Sequence, residues 1–465
     1  MRIAIAYPPL KSEKGVALLT QNRQFQWFSR PTYIFPVVPA TAATMLKNEG
    51  HEVLFLDGIA AEMPLEEFNR RLCDFAPDVV VIETKTPVVK RHWRWIADFV
   101  GRAGGAPKCV MVGDHVTALP EESISKTGVW AVIPGGDWDY GLVDFIKAGC
   151  PRGIRPFALR DSIKDLPHID RDLVHWELYA KRNGNFKRTP GTYIMAGRDC
   201  WHAKCTFCSW TTLYPRYRVR EVKDVVDEIE TLVEKYGVRE IMDDSGSFPV
   251  GGWLTEFCNE MIRRGLNRRL RIDCNMRFGR LGFEDYRLMR KAGFRLVLFG
   301  VESANQTTLD RFVKALKVED VVQGCEWAHK AGLSVHLTFM FGHAWEGPAE
   351  IANTVALARR FLANGWASTL QCTLTVPYPG TPLFKELKAA GQLNSLDWND
   401  YDQRMAITKT PLVSEEEIKC AIREVYRGFL QPRALMHLFA TNLFDFGFYY
   451  RGLRYLIGHL MDFKG

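Results

Sequence analysis

The sequence predicts an α/β protein with a doubly wound parallel sheet, then a partial six-stranded β/α barrel, then a helical C-terminal region. Short apolar runs alternate with segments whose apolar residues are spaced by three and four. This alternation occurs twice, with a proline-containing stretch between the two series. At 465 residues the chain is long enough for two or three domains. The predicted bounds are 1–150, a linker at 151–188, the barrel at 189–390 and helices at 391–465.

The first series contains five apolar runs that are short enough to be strands. They are Arg2–Ala6, Val53–Leu56, Val79–Ile82, Cys109–Val112 and Ala131–Ile133. Helical spacing separates them, as in Leu65–Phe75 and Trp93–Val100. Five such repeats predict an open parallel sheet with helices on both faces.

Small, polar or turn residues follow four of these five strands. They are Asp57-Gly58, Glu83 to Thr86, Gly113 to His115 and Pro134 to Asp137. Ligands of open α/β sheets bind beyond the carboxyl ends of the strands. Any one of these turns is ordinary on its own, whereas four together favour a bound ligand.

The second series begins near residue 190 and contains six predicted strands. They are Tyr193–Gly197, Glu240–Asp243, Leu270–Cys274, Leu296–Val301, Val335–Phe341 and Thr369–Val376. Helices are predicted between them, for example Val222–Tyr236, Glu284–Ala292 and Val318–Ala331. Six β/α units suit a barrel or partial barrel, whose chemistry lies at the carboxyl ends of its strands.

Composition indicates a soluble globular protein, with 47% hydrophobic and 25% charged residues. The net charge of +7 is a mild excess over this length, without a dense basic run, and disfavours a nucleic-acid partner. A positively charged entrance to the binding site, which would attract an anionic substrate, is an alternative explanation of this charge. The apolar start is broken too early, by Pro8 and Pro9, for a signal peptide.

The sequence offers no candidate for a transmembrane helix, because no run of 18 uncharged apolar residues occurs. Eleven cysteines without an export signal predict a reducing compartment and a cytoplasmic location. Eight of these cysteines are scattered and are expected to be small buried hydrophobic residues. They are Cys73, Cys109, Cys150, Cys258, Cys274, Cys325, Cys372 and Cys420.

The remaining three cysteines, Cys200, Cys205 and Cys208, follow the first strand of the second series. Three thiolates on one loop can converge on one metal centre. A cubane iron–sulfur cluster with three cysteine ligands keeps one iron open for a substrate or cofactor. A structural zinc site needs a fourth ligand, for which only His202 lies near. The spacing favours the cluster over zinc.

Further motifs follow in the second series: Met242 to Phe248, Asn275 to Arg277, Gly300 to Ser303 and Tyr378 to Pro382. With the cysteine loop, they resemble the radical S-adenosylmethionine superfamily. In the first domain, Asp57 and four motifs resemble the cobalamin-binding branch of that superfamily. The motifs are Pro8-Pro9, Pro77-Asp78, Gly113 to Glu122 and Pro134 to Asp137. Over the full length the chain is similar to members associated with hopanoid side-chain and anaerobic porphyrin-ring chemistry.

The chain departs from this family pattern at three places. Four residues separate Cys200 from Cys205, where the commonest family spacing has three. Asp57 is not followed by the DxHxxG loop that gives some cobalamin domains a histidine ligand, so no histidine is expected to ligate cobalt there. Gly342 to Glu346 replaces a turn that usually contains glycine and proline.

The resemblance implies a [4Fe–4S] cluster, S-adenosylmethionine and cobalamin as cofactors, and formation of a 5′-deoxyadenosyl radical. The implied cluster ligands are Cys200, Cys205 and Cys208. The implied S-adenosylmethionine contacts are Phe207, Asp243, Asp244, Asn275, Arg277, Glu302 and Ser303. The implied cobalamin contacts are Thr84, Thr86, Gly113, Asp114, His115, Gly135 and Gly136.

Each of these contacts also has an ordinary structural interpretation. Phe207 suits core packing, and a double aspartate at a strand end suits a solvated turn. Glu302 and Ser303 also suit a helix cap. His115 alone is more often a surface histidine.

The resemblance implies modification of an unactivated carbon, with C-methylation as the first hypothesis. Ring formation or carbon-skeleton rearrangement of an apolar, lipid or tetrapyrrole-like substrate is the alternative. A non-catalytic corrinoid- or metal-binding module is a further alternative. A tRNA methylthiolase would need three more clustered cysteines, and Cys73, Cys109 and Cys150 are far apart.

The expected partners are a small-molecule substrate, for which a lipid-like molecule is one candidate, and a reductant such as flavodoxin or ferredoxin. No nucleic-acid partner is expected. Residues 434–450 combine many apolar and aromatic residues and predict helices that pack on the barrel. An amphipathic surface that meets a membrane or a lipid is the alternative for this segment.

Overall fold

A computed structural model of the chain describes residues 1–17, 27–28 and 31–442. It confirms the predicted α/β class, with two six-stranded parallel sheets in sequence. The last part of the predicted C-terminal region, from residue 443 onward, lies outside the described residues. In the part of the chain that the structure describes, no helix combines the length and hydrophobicity needed to cross a bilayer.

The first sheet has the strand order β2-β1-β3-β4-β5-β6, and every pairing in it is parallel. Its strands are β1 Arg2–Tyr7, β2 Glu52–Asp57, β3 Val79–Thr84, β4 Lys108–Gly113, β5 Val129–Val132 and β6 Gly153–Ile154. The connecting helices are Val37–Asn48, Leu65–Phe75, Val89–Arg102, Asp114–Ala118, Pro120–Ile124 and Trp138–Lys147. The order reverses between β1 and β3, which is where doubly wound sheets bind ligands.

Two separate apolar cores cover the two faces of this sheet. In β1, Ile3 and Ile5 pack into one core and Ala4 and Ala6 into the other. Because successive side chains of a strand point to opposite faces, this apolar run builds both cores at once. The five predicted strands are therefore found, each within a few residues of its expected bounds.

The segment predicted as a linker, residues 151–188, is built into the fold. Gly153–Ile154 extends the first sheet by pairing with β5. Arg171 is almost fully buried and pairs with Glu228 of the second unit. A short helix follows at Glu177–Ala180. The prolines and charged residues of this segment therefore belong to irregular backbone that is packed into the fold. The predicted domain bounds stay a prediction.

The second sheet is a parallel partial barrel whose strands follow chain order. They are β7 Gly191–Ile194, β8 Glu240–Asp243, β9 Arg271–Met276, β10 Phe294–Glu302, β11 Ser334–Phe341 and β12 Thr369–Leu374. Its longer helices are Val222–Tyr236, Gly252–Arg263, Phe283–Lys291, Val318–Lys330, Pro348–Ala363 and Pro382–Ala389. Shorter helices are Trp210–Leu213, Leu266–Arg269 and Gln306–Arg311.

Alternation along the barrel strands separates an outer core from an inner lumen. In β10, Val297, Phe299 and Val301 are fully buried in the main apolar core. Leu296 and Leu298, from the intervening positions, line a cavity inside the sheet. The carboxyl ends of all six strands lie at one end of this lumen.

The C-terminal region is helical only in part. Helices occupy Glu415–Arg427 and Pro432–Asn442. Residues 391–414, which we also predicted as helical, instead contain a 3-10 turn at Trp398–Asp400 and a single bridge between Leu393 and Thr408. The Asp397 side chain accepts a hydrogen bond from the backbone of its own turn. Such local bonds compete with helix formation, which explains the difference.

Short strands complete the two units. Lys11–Ser12, Gly15–Ala17 and Trp27–Phe28 form an antiparallel ribbon beside the first sheet. Gly197–Arg198 pairs with Arg218–Val219 at the start of the cysteine loop. This second ribbon places Arg198 against the first domain.

A buried ion network joins the two domains at this point. The guanidinium of Arg198 pairs with Asp137 at 3.0 Å and with Asp139 at 2.5 Å, and none of the three is more than 2% exposed. Arg218 also pairs with Asp137. The hydroxyl of Tyr214 donates to the backbone carbonyl of Gly136 at 2.8 Å. The start of the cysteine loop is thereby fixed to the first domain.

Replacement of Arg198 with Met is expected to destabilise the protein by about 3–5 kcal/mol, because it leaves the buried Asp139 without its ion-pair partner and removes one of the two partners of Asp137. The control is R216M, since Arg216 pairs with Asp161 on the surface, where both side chains are more than half exposed. An exposed pair contributes about 0–1 kcal/mol. Denaturant titration of both variants tests this, and equal losses would contradict a role for burial.

Candidate metal and cofactor site

A large cavity, with a volume of about 2520 Å³, occupies the lumen of the partial barrel and extends to the first domain. Its lining includes residues 31–34 and Glu62 from the first domain. Pockets for one small molecule are typically about 300–1,000 Å³. The cavity therefore has room for several ligands side by side.

All three clustered cysteines line this cavity. Cys205 is 9% exposed, and Cys200 and Cys208 are partly exposed. Burial raises the pKa of the Cys205 thiol, while Lys314 and Arg277 act in the opposite direction. Nη1 of Arg277 lies 3.8 Å from the Cys205 sulfur. Positive charge beside a thiol favours the thiolate, which is the form that binds metal.

Backbone hydrogen bonds hold the cysteine loop at both ends. Asp199, just before Cys200, accepts from the backbone N–H of Gly246 at 2.6 Å and from that of Ser247 at 3.1 Å. Thr206 donates to the carbonyl of Phe312 at 3.0 Å and accepts from Leu383 at 3.0 Å. Loops that follow other barrel strands therefore fix the position of the thiols.

The donor set fits an iron–sulfur cluster. Thiolates are soft ligands that suit iron–sulfur centres, and here three of them face one space. In residues 1–17, 27–28 and 31–442, no three His, Cys, Asp or Glu side chains converge closely enough to hold a single metal ion. A cubane needs thiolates that are spread apart, because each one binds a different iron. The ring of His202 hydrogen-bonds the Val313 carbonyl at 2.6 Å instead.

Five of the seven residues predicted to contact S-adenosylmethionine line the cavity. They are Phe207, Asp244, Asn275, Arg277 and Glu302. The amide of Asn275 donates to the carbonyl of Ser245 at 2.9 Å, which joins the end of β9 to the loop after β8. Phe207 both lines the cavity and packs against Phe312, with ring centres 4.8 Å apart. The two interpretations of Phe207 are therefore compatible.

Lys314 is a cavity-lining residue that the sequence analysis did not identify. Its ammonium group pairs with Glu302 at 2.5 Å, and both residues are less than a tenth exposed. Its backbone carbonyl accepts a hydrogen bond from Arg277. No motif marks Lys314, since it follows a short helix as a lone lysine. Only the folded chain brings it to the cysteines.

Asp243 and Ser303 are not among the described residues that line the cavity. Asp243 is fully buried and accepts from the backbone N–H groups of Ala196 at 2.7 Å and Ser245 at 3.0 Å. The Ser303 hydroxyl donates to Glu346 at 2.7 Å. Both side chains hold neighbouring loops in place. Their contact with S-adenosylmethionine stays a prediction.

The seven residues predicted to hold cobalamin also lie outside the described lining of this cavity. Thr84 hydrogen-bonds the ring of His92 at 2.8 Å, and Thr86 that of His115 at 3.2 Å. His115 is fully buried, and its ring meets that of Trp398 edge-on with centres 5.4 Å apart. These side chains stabilise the strand ends, and their cofactor contacts stay a prediction.

The three predicted glycines are sites of close backbone approach. Gly113 has φ +109°, and a Cβ there would lie 2.3 Å from the carbonyl oxygen of Thr84. A Cβ on Gly135 would meet Ala158 at 2.4 Å, and one on Gly136 would meet the Tyr214 ring at 2.2 Å. The chain itself therefore requires these glycines. Asp114 beside them is half-buried, and loss of solvent around its carboxylate raises its pKa. Its buried Oδ1 has no hydrogen-bond partner within the described residues.

Comparison with protein families gives one match within the second domain. Residues 194–358 match the radical SAM superfamily model. This range contains the three clustered cysteines and every barrel strand from β8 to β11.

Comparison with curated proteins gives relatives along most of the chain. An uncharacterized methyltransferase of Pyrococcus horikoshii is 24% identical over 86% of this chain and 89% of its own. An anaerobic magnesium-protoporphyrin IX monomethyl ester cyclase of Cereibacter sphaeroides is 28% identical over 84% of this chain and 66% of its own. The hopanoid C-3 methylase of Methylococcus capsulatus is 22% identical over 80% and 72%. The predicted resemblance to porphyrin and hopanoid proteins is confirmed.

Comparison with solved structures confirms the fold over both domains. A radical S-adenosylmethionine methyltransferase, TsrM, from Kitasatospora setae, with cobalamin and a [4Fe–4S] cluster bound, aligns with a TM-score of 0.67. It is 17% identical, and the alignment covers 93% of this chain and 91% of that one.

Anaerobic reconstitution is expected to load about four irons per chain, since three cysteine thiolates suffice to hold a cubane. C208S should lose most of this iron, because a serine hydroxyl is a poor ligand for iron of this type. The control is C73S, since Cys73 is exposed on a helix outside the cavity. Iron content per chain measures the effect. Equal iron in both variants would refute the assignment of Cys208 as a ligand.

Proposed function

Because residues 194–358 place this chain in the radical SAM superfamily, we propose that it is a cobalamin-dependent enzyme that methylates an unactivated carbon. One observation carries the proposal: the three clustered cysteines open into a cavity that also reaches the first domain. A methyl carrier in that domain and a radical source at the thiols would then share one space with the substrate.

The three cofactors predicted from the sequence are the [4Fe–4S] cluster, S-adenosylmethionine and cobalamin, and solved structures of similar fold contain them. When bound, they supply a radical that removes a hydrogen atom and a group that carries a methyl. Everything else, from orientation to exclusion of water, falls to the protein.

Charges near the cysteines suit a negatively charged cluster. Arg277 and Lys314 are both less than a tenth exposed and lie on the same wall as Cys205. Their positive charges offset the thiolates in a place that water reaches poorly. Glu302, held by Lys314, and Asp244 supply carboxylates at the carboxyl ends of the strands. Such groups suit the ammonium and hydroxyl groups of S-adenosylmethionine.

Aromatic side chains close the cavity on the side of the first domain. Trp210 and Tyr214 line it, and their rings are stacked with centres 5.5 Å apart. Tyr33, from the first domain, lines it as well. We place cobalamin in this part of the cavity, between the two domains. In this place cobalamin would lie near the cysteines, and its cobalt would have no histidine ligand from the DxHxxG position.

Ring formation is the second candidate function. It is favoured by the similarity to the Cereibacter sphaeroides cyclase. Of the three curated relatives described above, this cyclase has the highest sequence identity to the chain, at 28%. Methylation is placed first because two of those three relatives are named as methyltransferase or methylase. We further propose that a flavodoxin or ferredoxin supplies the electron, and that the protein works in the cytoplasm. None of the eleven cysteines, all of which lie in the described part of the chain, forms a disulfide, and this suits a reducing compartment.

A labelled methyl group decides between the two functions. The reconstituted protein is incubated with a small-molecule extract of its source cells, a reductant and S-adenosylmethionine whose methyl group carries three deuterium atoms. We expect 5′-deoxyadenosine, S-adenosylhomocysteine and a product whose mass rises by the label. Mass spectrometry against the unlabelled donor identifies that product, and C208S is the control.

The outcomes separate the candidates. Formation of 5′-deoxyadenosine with a new product that lacks the label would support ring formation or rearrangement and contradict methylation. Absence of 5′-deoxyadenosine under every condition would contradict both radical functions and leave the non-catalytic binding module.

A further inference from the structure

The end of the cavity farthest from the cysteines is rich in arginine. Arg188, Arg271, Arg290 and Arg295 all line it there. Arg271 is the first residue of β9 and Arg290 lies on the helix that follows this strand, so both lie near the amino ends of the barrel strands. This places them opposite the thiols, which lie at the carboxyl ends.

Three of these arginines have no carboxylate partner. Arg295 pairs with Glu240 at 2.8 Å and with Asp273, and so accounts for the two acidic groups at this end. Within residues 1–17, 27–28 and 31–442, neither Arg188 nor Arg271 nor Arg290 forms an ion pair. Arg271 donates only to the carbonyls of its own turn, at 2.8 and 3.1 Å.

Arg271 lies within electrostatic range of both Arg188 and Arg290. Burial, and after it the charges of these two arginines, lower the pKa of the Arg271 guanidinium, while the carboxylate of Glu240 acts in the opposite direction. Elsewhere, the neighbouring Arg263 and Arg264 share the carboxylate of Glu260. At this end of the cavity Glu240 already pairs with Arg295, so an additional anion would relieve the repulsion that remains between the other guanidinium groups.

The lumen between the arginines and the thiols is largely apolar. Met242, Leu296, Leu298 and Met340 line it from three strands, β8, β10 and β11. His336 lies there too, and burial lowers its pKa to about 4, so the ring is neutral. This wall offers little to a second charged group of a ligand. A ligand that fills the lumen would therefore be mainly apolar, and Thr338, Gln371 and Thr373 could contact polar groups along it.

The length of the lumen follows from strand geometry. Arg271 and Asn275 are four residues apart on β9 and both line the cavity. At about 3.3 Å per residue, they are about 13 Å apart. An anionic group held by the arginines would therefore lie up to about 13 Å from the carbon that reacts near the cysteines.

We propose that the substrate is an elongated apolar molecule that ends in an oxyanion, a carboxylate or a phosphate, and that Arg188, Arg271 and Arg290 bind this end. The guanidinium fork matches both groups through paired hydrogen bonds. This proposal rests on the proposed function, because the bound ligand is taken to be the substrate of that reaction. The three arginines would then select the substrate class.

The test measures binding, so that it can fail independently of the methylation assay. Decanoate, decyl phosphate and decanol are titrated into the reconstituted protein in a calorimeter, at concentrations where these chains are monomeric. We expect the two anions to bind at least about tenfold more tightly than decanol. The tighter of the two anions identifies the head group.

Variants locate the binding group. R290Q and R271Q should each weaken anion binding about tenfold and leave decanol binding unchanged. The control is R287Q, because Arg287 lies on the same helix as Arg290 but pairs with Glu284 away from the cavity. Arg290 is exposed, so its replacement should leave the fold intact. Equal binding of decanol and the anions, no binding of either anion, or the same loss in R287Q would overturn the proposal.

Discussion

The ion network of Arg198 with Asp137 and Asp139 is the constraint on which the site depends. Arg198 stands two residues before the first clustered cysteine, and its partners begin a helix of the other domain. Buried charges in this arrangement tolerate little displacement, because each would lose its partner in a medium of low dielectric constant. The distance between the cysteine loop and the first domain is therefore set by electrostatics as well as by packing. A methyl carrier and a radical source need such a fixed separation.

The cavity divides into an end for chemistry and an end for recognition. At the carboxyl ends of the strands, the loops carry cysteines and polar side chains, and hydrogen bonds between neighbouring loops hold them in place. At the amino ends, Arg188, Arg271 and Arg290 form no ion pair with another described residue. Along the strands between, side chains alternate between the lumen and the outer core, as Leu298 and Phe299 do in β10. One pattern of residues thus builds both the barrel and the wall of the cavity.

Sequence reasoning predicted most of this arrangement, and its failures have physical reasons. The strands are predictable because each is a short, continuous apolar run whose ends are marked by residues next to it in the sequence, as in Val79–Thr84. The cysteine loop is predictable because its three ligands are close in sequence. Lys314 is not, because its role depends on an ion pair with Glu302 that a lone lysine does not signal. Residues 391–414 were expected to be helical from composition, and side chains that bond their own backbone make them irregular instead.

The predicted cobalamin residues show a different limit. Their glycines are necessary, yet the structure uses them for close contacts such as that of Gly136 with Tyr214. Asp137, the last residue of the same motif, pairs with Arg198 and Arg218 of the other domain. A motif at a strand end can therefore serve the joining of two domains as well as a ligand. Sequence alone does not separate these two uses, since both favour glycine and a polar residue after a strand.

We expect three cysteine thiolates to leave one iron of a cubane open to S-adenosylmethionine. Electron paramagnetic resonance of the reduced, reconstituted protein measures this, with spectra recorded before and after S-adenosylmethionine is added. The signal of the reduced cluster should change, because a new ligand binds the open iron. An unchanged signal, with nucleotide binding established by calorimetry in the same sample, would show that the protein already ligates every iron and would refute an open coordination site.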